Sequence, residues 1–304
     1  MRTGIIVLLT LVVMGLTACR KEENPAPAPP PSQGGGPRLV LKFRFDSTQV
    51  RLNGFGQPVG VPAGHGAQSP HFNAMSAHYV EFTPTAQTLP GQGAVVYHAP
   101  ETTQGGANAI DLSQAVLAGE GEAFLDIPLA QLPAGTYPYL RVSIGYQNYN
   151  IDFRQVAQGI GTFDLQGTIA SFIGFNTYIG SFNVNQQSVT VNENKPQGFW
   201  AFEVLNPPVP IAPVVGQAPP GATTVPNPLF DTSPIPPGSC LVTGVFAEPL
   251  VISGSETEDI VINVSISTNK SFEWTDVAGD NIFEPAAGDQ VVDMGVRGMI
   301  PTVQ

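Results

Sequence analysis

All four histidines of the chain lie between positions 65 and 98, which makes this stretch the first candidate for metal chemistry. Neutral imidazole is the commonest side-chain ligand of metal ions. A methionine lies in the same stretch, and a thioether beside imidazoles suits copper. The spacing matches no standard closed site, so local hydrogen bonding of the histidines remains the alternative. The candidate copper ligands are His65, His71, His78, His98 and Met75.

Acidic residues form a second candidate site near the C-terminus, where carboxylates alternate with a glycine and an asparagine. Oxygen ligands and a tight turn are what Ca²⁺ requires. The ligand series of an EF-hand is absent, because Val277 and Ala278 interrupt it. The pattern predicts either a structural calcium ion that locks the loop or an acidic turn with solvated side chains. The candidate calcium ligands are Asp276, Asp280, Glu284 and Asp289.

Three tyrosines form a third candidate site, for a sugar or peptide ligand. Tyr146 and Tyr149 lie in residues 145–150, and Tyr178 lies in residues 174–178; both segments are rich in glycine and asparagine. Aromatic faces beside amide side chains suit such a ligand. Packing of aromatic residues within strands explains the same pattern, so both interpretations stay open.

The sequence offers little for catalysis. It contains no Gly-x-Ser-x-Gly elbow, no His-Glu-x-x-His motif and no phosphate-binding loop. Cys240 begins an apolar run and has no histidine near it in sequence, so we predict a small buried hydrophobic residue rather than a nucleophile. We therefore predict that the chain is not an enzyme.

The N-terminus carries a targeting signal. Arg2 gives a positive start, and residues 4–16 are almost wholly apolar. An apolar run of about 13 residues is too short to span a bilayer as a helix and is typical of a signal peptide. The closing residues, Leu16-Thr17-Ala18-Cys19, resemble the lipobox of bacterial lipoproteins. That resemblance implies a signal peptide over residues 1–18, cleavage before Cys19, and acyl chains such as palmitate on Cys19.

A tether follows the lipidation site. Residues 19–37 combine a charged cluster with Pro, Ala, Ser, Gln and Gly, a composition that cannot bury a core and that holds a folded body away from a membrane. The charged cluster at 20–24 resembles the surface-export signal of Bacteroidota lipoproteins, which implies the outer membrane, with surface display favoured over a periplasmic location. The formal net charge of −12 argues against nucleic acid as a partner.

The body, residues 38–304, repeats short runs of β-branched and aromatic residues separated by Gly, Pro or Asn. The alternation is cleanest over residues 260–267, and a short helix is expected only at 108–117. This pattern predicts an all-β, antiparallel β-sandwich of Ig-like or jelly-roll type. The Pro-rich segment 205–237 is either a seam between domains or a long ordered loop, and its apolar residues favour the loop.

The first half of the body carries a family resemblance, in residues 39–43, 77–82, 132–137 and 140–142. An opening strand, a middle strand and a Pro-Ala-Gly-Thr-Tyr turn that leads into a strand resemble, in this order, the MbnP-like family of bacterial envelope proteins. That family includes copper-binding lipoproteins whose ligands are histidines and a modified tryptophan. The resemblance implies an all-β envelope domain that binds copper. Neither Trp200 nor Trp274 has a histidine near it in sequence, so the tryptophan-derived ligand is not carried over.

These observations predict a lipid-anchored binding protein of the cell envelope without enzymatic activity. Copper binding through the histidine cluster is the leading function, on the clustering and the family resemblance together. The alternative is a structural or surface module that binds a glycan or an envelope protein through the tyrosine segments, without metal chemistry.

Overall fold

Alternation of apolar and polar residues determines where the chain forms strands. The computed structural model describes residues 35–53, 57–157, 159, 161–207, 210–218 and 239–304. The predicted signal peptide, Cys19 and most of the tether lie outside these residues. Regular structure within them is almost entirely β-strand, and its helical segments are short 3₁₀ turns. The predicted all-β class is confirmed. In the described part of the chain, no helix has the length and apolar character needed to cross a membrane.

The strands are listed here in chain order. They are β1 (Arg38–Asp46), β2 (His65–Gln68), β3 (His71–Thr83), β4 (Ala94–His98), β5 (Glu101–Thr102), β6 (Ala109–Asp111), β7 (Ala123–Pro128), β8 (Gly135–Ala157), β9 (Gly161–Phe172), β10 (Asn176–Asn183), β11 (Ser188–Pro196), β12 (Phe199–Val204), β13 (Val214–Gln217), β14 (Cys240–Ile252), β15 (Ile260–Ser267), β16 (Phe272–Thr275), β17 (Gln290–Asp293) and β18 (Met299–Val303).

Two large sheets pack face to face. The first has the strand order β18-β15-β1-β7, and β1 and β15 run parallel at its centre. The second has the order β13-β12-β9-β8-β3-β4, with β14 also paired to β8. Alternate side chains of both sheets enter one apolar core, as in a sandwich. Fully buried members of that core include Leu41, Phe43, Val264, Phe82 and Val142.

Strand β8 changes partners along its length. Its first half pairs with β14, and its second half pairs with β9. The change occurs at Gly145, whose carbonyl accepts hydrogen bonds from the backbone N–H groups of Ile173 and Gly174 at 3.0 Å each. A Cβ atom on Gly174 would lie 2.5 Å from the Cδ1 atom of Ile110, so a larger residue there would force that side chain to move.

Two smaller sheets flank the sandwich, with strand orders β11-β10-β6-β5 and β17-β16-β2. The helix expected at 108–117 was wrong: β6 occupies its start and a 3₁₀ turn covers Leu112–Gln114. The side chain of Asp111 accepts a hydrogen bond from the Ser113 N–H and caps that turn. Asp111 therefore marks the start of a single turn rather than a full helix.

The Pro-rich segment 205–237 is described only at 205–207 and 210–218. Strand β13, inside it, pairs with β12 at the edge of the second sheet. Strand β14, which follows it, pairs with β8 of the same sheet. The described chain before and after the segment therefore shares one sheet. Cys240 at the start of β14 is buried as predicted, and burial raises its pKa to about 12.

A fully buried ion pair fastens the loop between β3 and β4 to the second sheet. Glu81 accepts hydrogen bonds from the backbone N–H groups of Gly91 and Gly93, at 3.0 and 2.6 Å, and from Arg141 at 3.3 Å. Arg141 also donates to the carbonyl oxygen of Ala86 at 3.2 Å. Neither charged side chain exceeds 1% exposure, so each charge is compensated by the other and not by water.

A second buried ionic group surrounds Glu273 on β16. Its carboxylate contacts Arg51, Arg297 at 3.1 Å and the Nδ1 atom of His65. Arg297 also pairs with Asp293 on β17. Burial and the charge of Arg51 lower the pKa of Arg297 to about 10. These contacts join the segment after β1, the small three-stranded sheet and the segment before β18.

Candidate metal centre

His78 occupies a β-bulge in β3. Ala77 pairs with Ile144 and Tyr79 pairs with Ser143, so His78 is the additional residue between them. Its carbonyl accepts a hydrogen bond of 2.7 Å from the Ala99 N–H. A bulge redirects the side chain it carries, and bulges often occur next to functional sites. The imidazole of His78 is buried beside the rings of His98 and Phe175, outside the main apolar core.

His98 and Glu101 are brought beside His78 by a short turn. His98 ends β4, where it pairs with Tyr79, and Glu101 begins β5. Pro100 lies between them and lacks the N–H group that a continuing strand would use. The ring centroids of His78 and His98 are 5.1 Å apart. The nitrogen and oxygen ligand atoms of all three side chains lie within 4.8 Å of one another.

The Glu101 carboxylate bridges the two imidazoles. Its Oε1 atom lies 2.9 Å from His78 Nε2 and 3.1 Å from His98 Nε2. Its Oε2 atom accepts a hydrogen bond of 2.6 Å from Asn108 Nδ2. The Asn108 carbonyl in turn accepts one of 2.8 Å from Asn176 on β10. The bridging oxygen is therefore held in place by contacts on its far side.

Burial and hydrogen bonding together determine the protonation of His78 and Glu101. Burial lowers the pKa of His78 more than its hydrogen bond to the Glu101 carboxylate raises that pKa. Burial alone raises the pKa of Glu101, but hydrogen bonds from Asn108 and His78 outweigh it and leave that pKa below its usual value. A neutral imidazole and an ionised carboxylate are the forms that ligate metals. Among the described residues, the Nδ1 atom of His78 has no hydrogen-bond partner.

The structure brings together two of the five predicted copper ligands, His78 and His98. His65 contacts the buried Glu273 instead, and the exposed His71 begins β3, roughly 23 Å along the strand from His78. Met75 is fully buried in the main apolar core, so its thioether serves packing. At least two of the four histidines were expected to come together, which His78 and His98 do, whereas His65, His71 and Met75 lie outside the group. The sequence interpretation also missed Glu101, although it follows His98 by only three residues.

The predicted calcium ligands do not converge. In the described part of the chain, His78, His98 and Glu101 are the only grouping of three or more His, Cys, Asp or Glu ligand atoms close enough for one ion. The acidic loop uses its carboxylates to cap backbone N–H groups within the turn. Asp276 accepts from residues 279 and 281, Asp280 from residue 282, and Asp289 from residues 277 and 284. Glu284 lies 3.8 Å from Arg154.

We expect the melting temperature to be the same in EDTA and in millimolar Ca²⁺. The carboxylates of the acidic loop already have backbone partners, so the loop needs no cation to neutralise it. A bound ion would add about 2.7 kcal/mol of stability at a hundredfold excess over its Kd. Calorimetry with Mg²⁺ as the matched control measures this, and a rise specific to Ca²⁺ would contradict it.

The tyrosines do not form an exposed aromatic surface. Tyr149 is fully buried in the main core, and Tyr146 is only 6% exposed. The Tyr146 hydroxyl accepts a hydrogen bond of 3.2 Å from Asn148, so its polar end is used internally. Tyr178, half-buried on β10, pairs with Asp111 of β6. The prediction of a ligand surface at Tyr146 and Tyr149 was wrong, because packing between strands buries both rings.

Comparison with family models, curated proteins and solved structures returned no match for this chain. The resemblance to the MbnP-like family therefore stays a prediction. The geometry at His78, His98 and Glu101 is the observation on which function can be argued.

Proposed function

We propose that this protein binds one first-row transition metal ion, Cu²⁺ in preference to the others, at His78, His98 and Glu101. The observation that carries the proposal is the single carboxylate oxygen held against two imidazole nitrogens. Each Nε2 atom lies within hydrogen-bond distance of that oxygen, so a cation bound between the three atoms would keep the same side chains in contact.

The ligand spacing fits a common ion. Two ligands that each lie about 2.0–2.1 Å from one metal ion are about 3.0–3.4 Å from each other. Glu101 lies 2.9 and 3.1 Å from the two imidazole nitrogens, close to this separation, and all three ligand atoms lie within 4.8 Å of one another. Buried His78 would fix the ion from inside. His98, whose side chain is 48% exposed, would leave the centre accessible from solvent.

The ligand set favours Cu²⁺ by general coordination chemistry. Imidazole suits zinc, copper, iron and nickel, and affinity among the divalent ions of this row peaks at Cu²⁺. Three protein ligands leave at least one coordination position open, whereas structural zinc sites are closed by four. The site therefore suits exchangeable binding of a metal ion more than structural support.

The cellular setting of the proposal rests on residues 1–37. A signal peptide over residues 1–18, a lipidated Cys19 and the Pro/Gly tether support a protein attached to the outer membrane, facing the cell surface. In that setting the proposed role is capture or storage of a metal ion at the envelope, without catalysis.

We expect purified protein to bind one Cu²⁺ ion, measured by calorimetric titration and by metal content after desalting. Removing one of three ligands should weaken binding at least about 100-fold, because loss of mere supporting contacts costs 10–100-fold in metal sites. His98→Ala is the test variant, since its exposed side chain can be removed without opening the core. His71→Ala, which removes an exposed histidine outside the site, is the matched control and should bind like wild type.

Parallel titrations with Zn²⁺ and Fe²⁺ rank the metals. The proposal is overturned if wild type binds no transition metal, or if His98→Ala and His71→Ala lose affinity equally. In the second case surface histidines would be binding the ion one at a time. Circular dichroism of each variant shows that a loss of binding is not a loss of folding.

A further inference from the structure

Glu101 presents only one of its two carboxylate oxygens to the metal centre. Its Oε1 atom lies against His78 and His98, whereas its Oε2 atom accepts the 2.6 Å hydrogen bond from Asn108 Nδ2. We infer that Asn108 is a positioning residue that holds Glu101 in this one-oxygen arrangement and thereby sets which metal ions the centre prefers. Because the same three ligands are involved, this role rests on the function proposed above.

The register of a hairpin places Asn108 beside Glu101. Strands β5 and β6 are antiparallel, and Glu101 pairs with Ile110. Asn108 precedes Ile110 by two residues, so it continues the alternation on the face of the hairpin that carries Glu101. Such diagonal neighbours come within reach of each other when their side chains are long. The contact between the amide and the carboxylate therefore follows from the strand pairing.

The turn that carries Asn108 is fixed by the neighbouring hairpin, β10–β11. Asn108 is exposed, so its hydrogen bond to Glu101 competes with water unless both groups are held in place. Asn176 on β10 donates a bond of 2.8 Å to the Asn108 carbonyl, and Asn194 on β11 donates one of 2.9 Å to the Ala107 carbonyl. These two bonds fix the backbone from which the Asn108 side chain extends.

The start of β10 also contacts a second metal ligand. Phe175 precedes Asn176, and the centroid of its ring lies 5.2 Å from that of His78. Residues 175–176 therefore pack against one ligand and hold the support of another. Outer contacts of this kind orient the ligands of metal sites, and their loss typically costs about 10–100-fold in metal affinity.

The one-oxygen arrangement favours ions that prefer nitrogen ligands. Ca²⁺ often takes both oxygens of a carboxylate, and Mn²⁺ suits carboxylate and water more than imidazole. With Oε2 bonded to Asn108, the centre offers one oxygen and two imidazole nitrogens. Removing the Asn108 amide frees Oε2, so the carboxylate can rotate and present both oxygens. The preference for Cu²⁺ over Mn²⁺ should then narrow.

Asn108→Ala in the full chain tests this role. Asn183→Ala is the matched control, because Asn183 is an exposed asparagine of β10 outside the centre. Each protein is titrated with Cu²⁺ by calorimetry and with Mn²⁺ by the electron paramagnetic resonance of the free ion. We expect Asn108→Ala to lose about 10–100-fold in Cu²⁺ affinity and to keep its Mn²⁺ affinity, so that the ratio of the two falls by the same factor. Asn183→Ala should match wild type with both ions.

The spectrum of bound Cu²⁺ distinguishes positioning from a general loss of stability. At saturating Cu²⁺, the paramagnetic resonance spectrum of Asn108→Ala should differ from that of wild type, because the oxygen ligand changes its geometry. A fold that is merely less stable would leave the spectrum of the bound ion unchanged. If wild type binds Cu²⁺ and Asn108→Ala retains either the spectrum or the affinity ratio of wild type, the role of Asn108 is overturned and the metal centre stands. If wild type binds no transition metal, both are overturned.

Discussion

Glu273→Ala is expected to lower the free energy of unfolding by about 3–5 kcal/mol, because it leaves two buried guanidinium groups without their shared partner. Arg51 and Arg297 both contact this carboxylate, and each is less than 10% exposed. Urea unfolding followed by circular dichroism measures the change. Glu120→Ala is the matched control: its ion pair with Arg44 is exposed on both sides, so the loss should stay within about 1 kcal/mol.

The same carboxylate gives the fold an acid-sensitive component. Burial alone would raise the pKa of Glu273, but hydrogen bonds from His65 and Arg51 outweigh it, so its folded-state pKa lies below the ordinary value. The ionised form therefore stabilises the fold above the unfolded-state pKa, and that stability is lost as the pH falls through the folded-state pKa. The difference between wild type and Glu273→Gln should shrink on acidification. A difference that stays constant from neutral to acid pH would show that the charge of Glu273 contributes nothing.

The ion pair of Glu81 and Arg141 should show an effect of similar size. Glu81→Ala is expected to cost about 3–5 kcal/mol, because Arg141 would be left as an uncompensated buried charge. Hydrogen exchange at Gly91 and Gly93 should accelerate as well, since Glu81 is the acceptor of both N–H groups. The loop between β3 and β4 is thereby released beside the strand that carries His98.

A double variant separates charge from packing. Glu81→Met combined with Arg141→Met removes both charges at once and should recover most of the stability lost in Glu81→Ala, because apolar replacement of a buried pair is often neutral. Lys195→Met with Glu193→Met, at a more exposed pair, is the control and should change stability little. If the double variant is as unstable as Glu81→Ala, the charges are not the cause.

The fold class could be predicted because its signal is local. Alternation over residues 260–267 identifies a half-buried strand without any knowledge of its neighbours, and Ile262, Val264 and Ile266 are indeed fully buried. Clustering of the histidines likewise identified the stretch of chain that contains the candidate centre. The parallel pairing of β15 with β1 carries no local signal and was not predicted.

The candidate site was only half predictable because bulges and turns decide which side chains meet. The bulge at His78 redirects one imidazole, while Met75, three residues earlier, packs into the core. Glu101 joins the site only because the chain turns at Pro100. In the acidic loop, the carboxylates of Asp276 and Asp289 accept hydrogen bonds from backbone N–H groups of the turn. Composition alone does not reveal this use of the carboxylates.

The parallel pairing of β1 with β15 also has a consequence for how the chain acquires its structure. Leu39 pairs with Ile260, and Arg38 bonds to Asp259 across 221 residues of chain. The chain loses conformational entropy when so long a loop closes, and the stabilising contacts form only afterwards. Folding of the first sheet is therefore slow compared with folds built from neighbouring segments. During synthesis, β1 can pair early with β7, but its parallel partner β15 is made only after residue 260. The first sheet can therefore be completed only when nearly the whole polypeptide has been made.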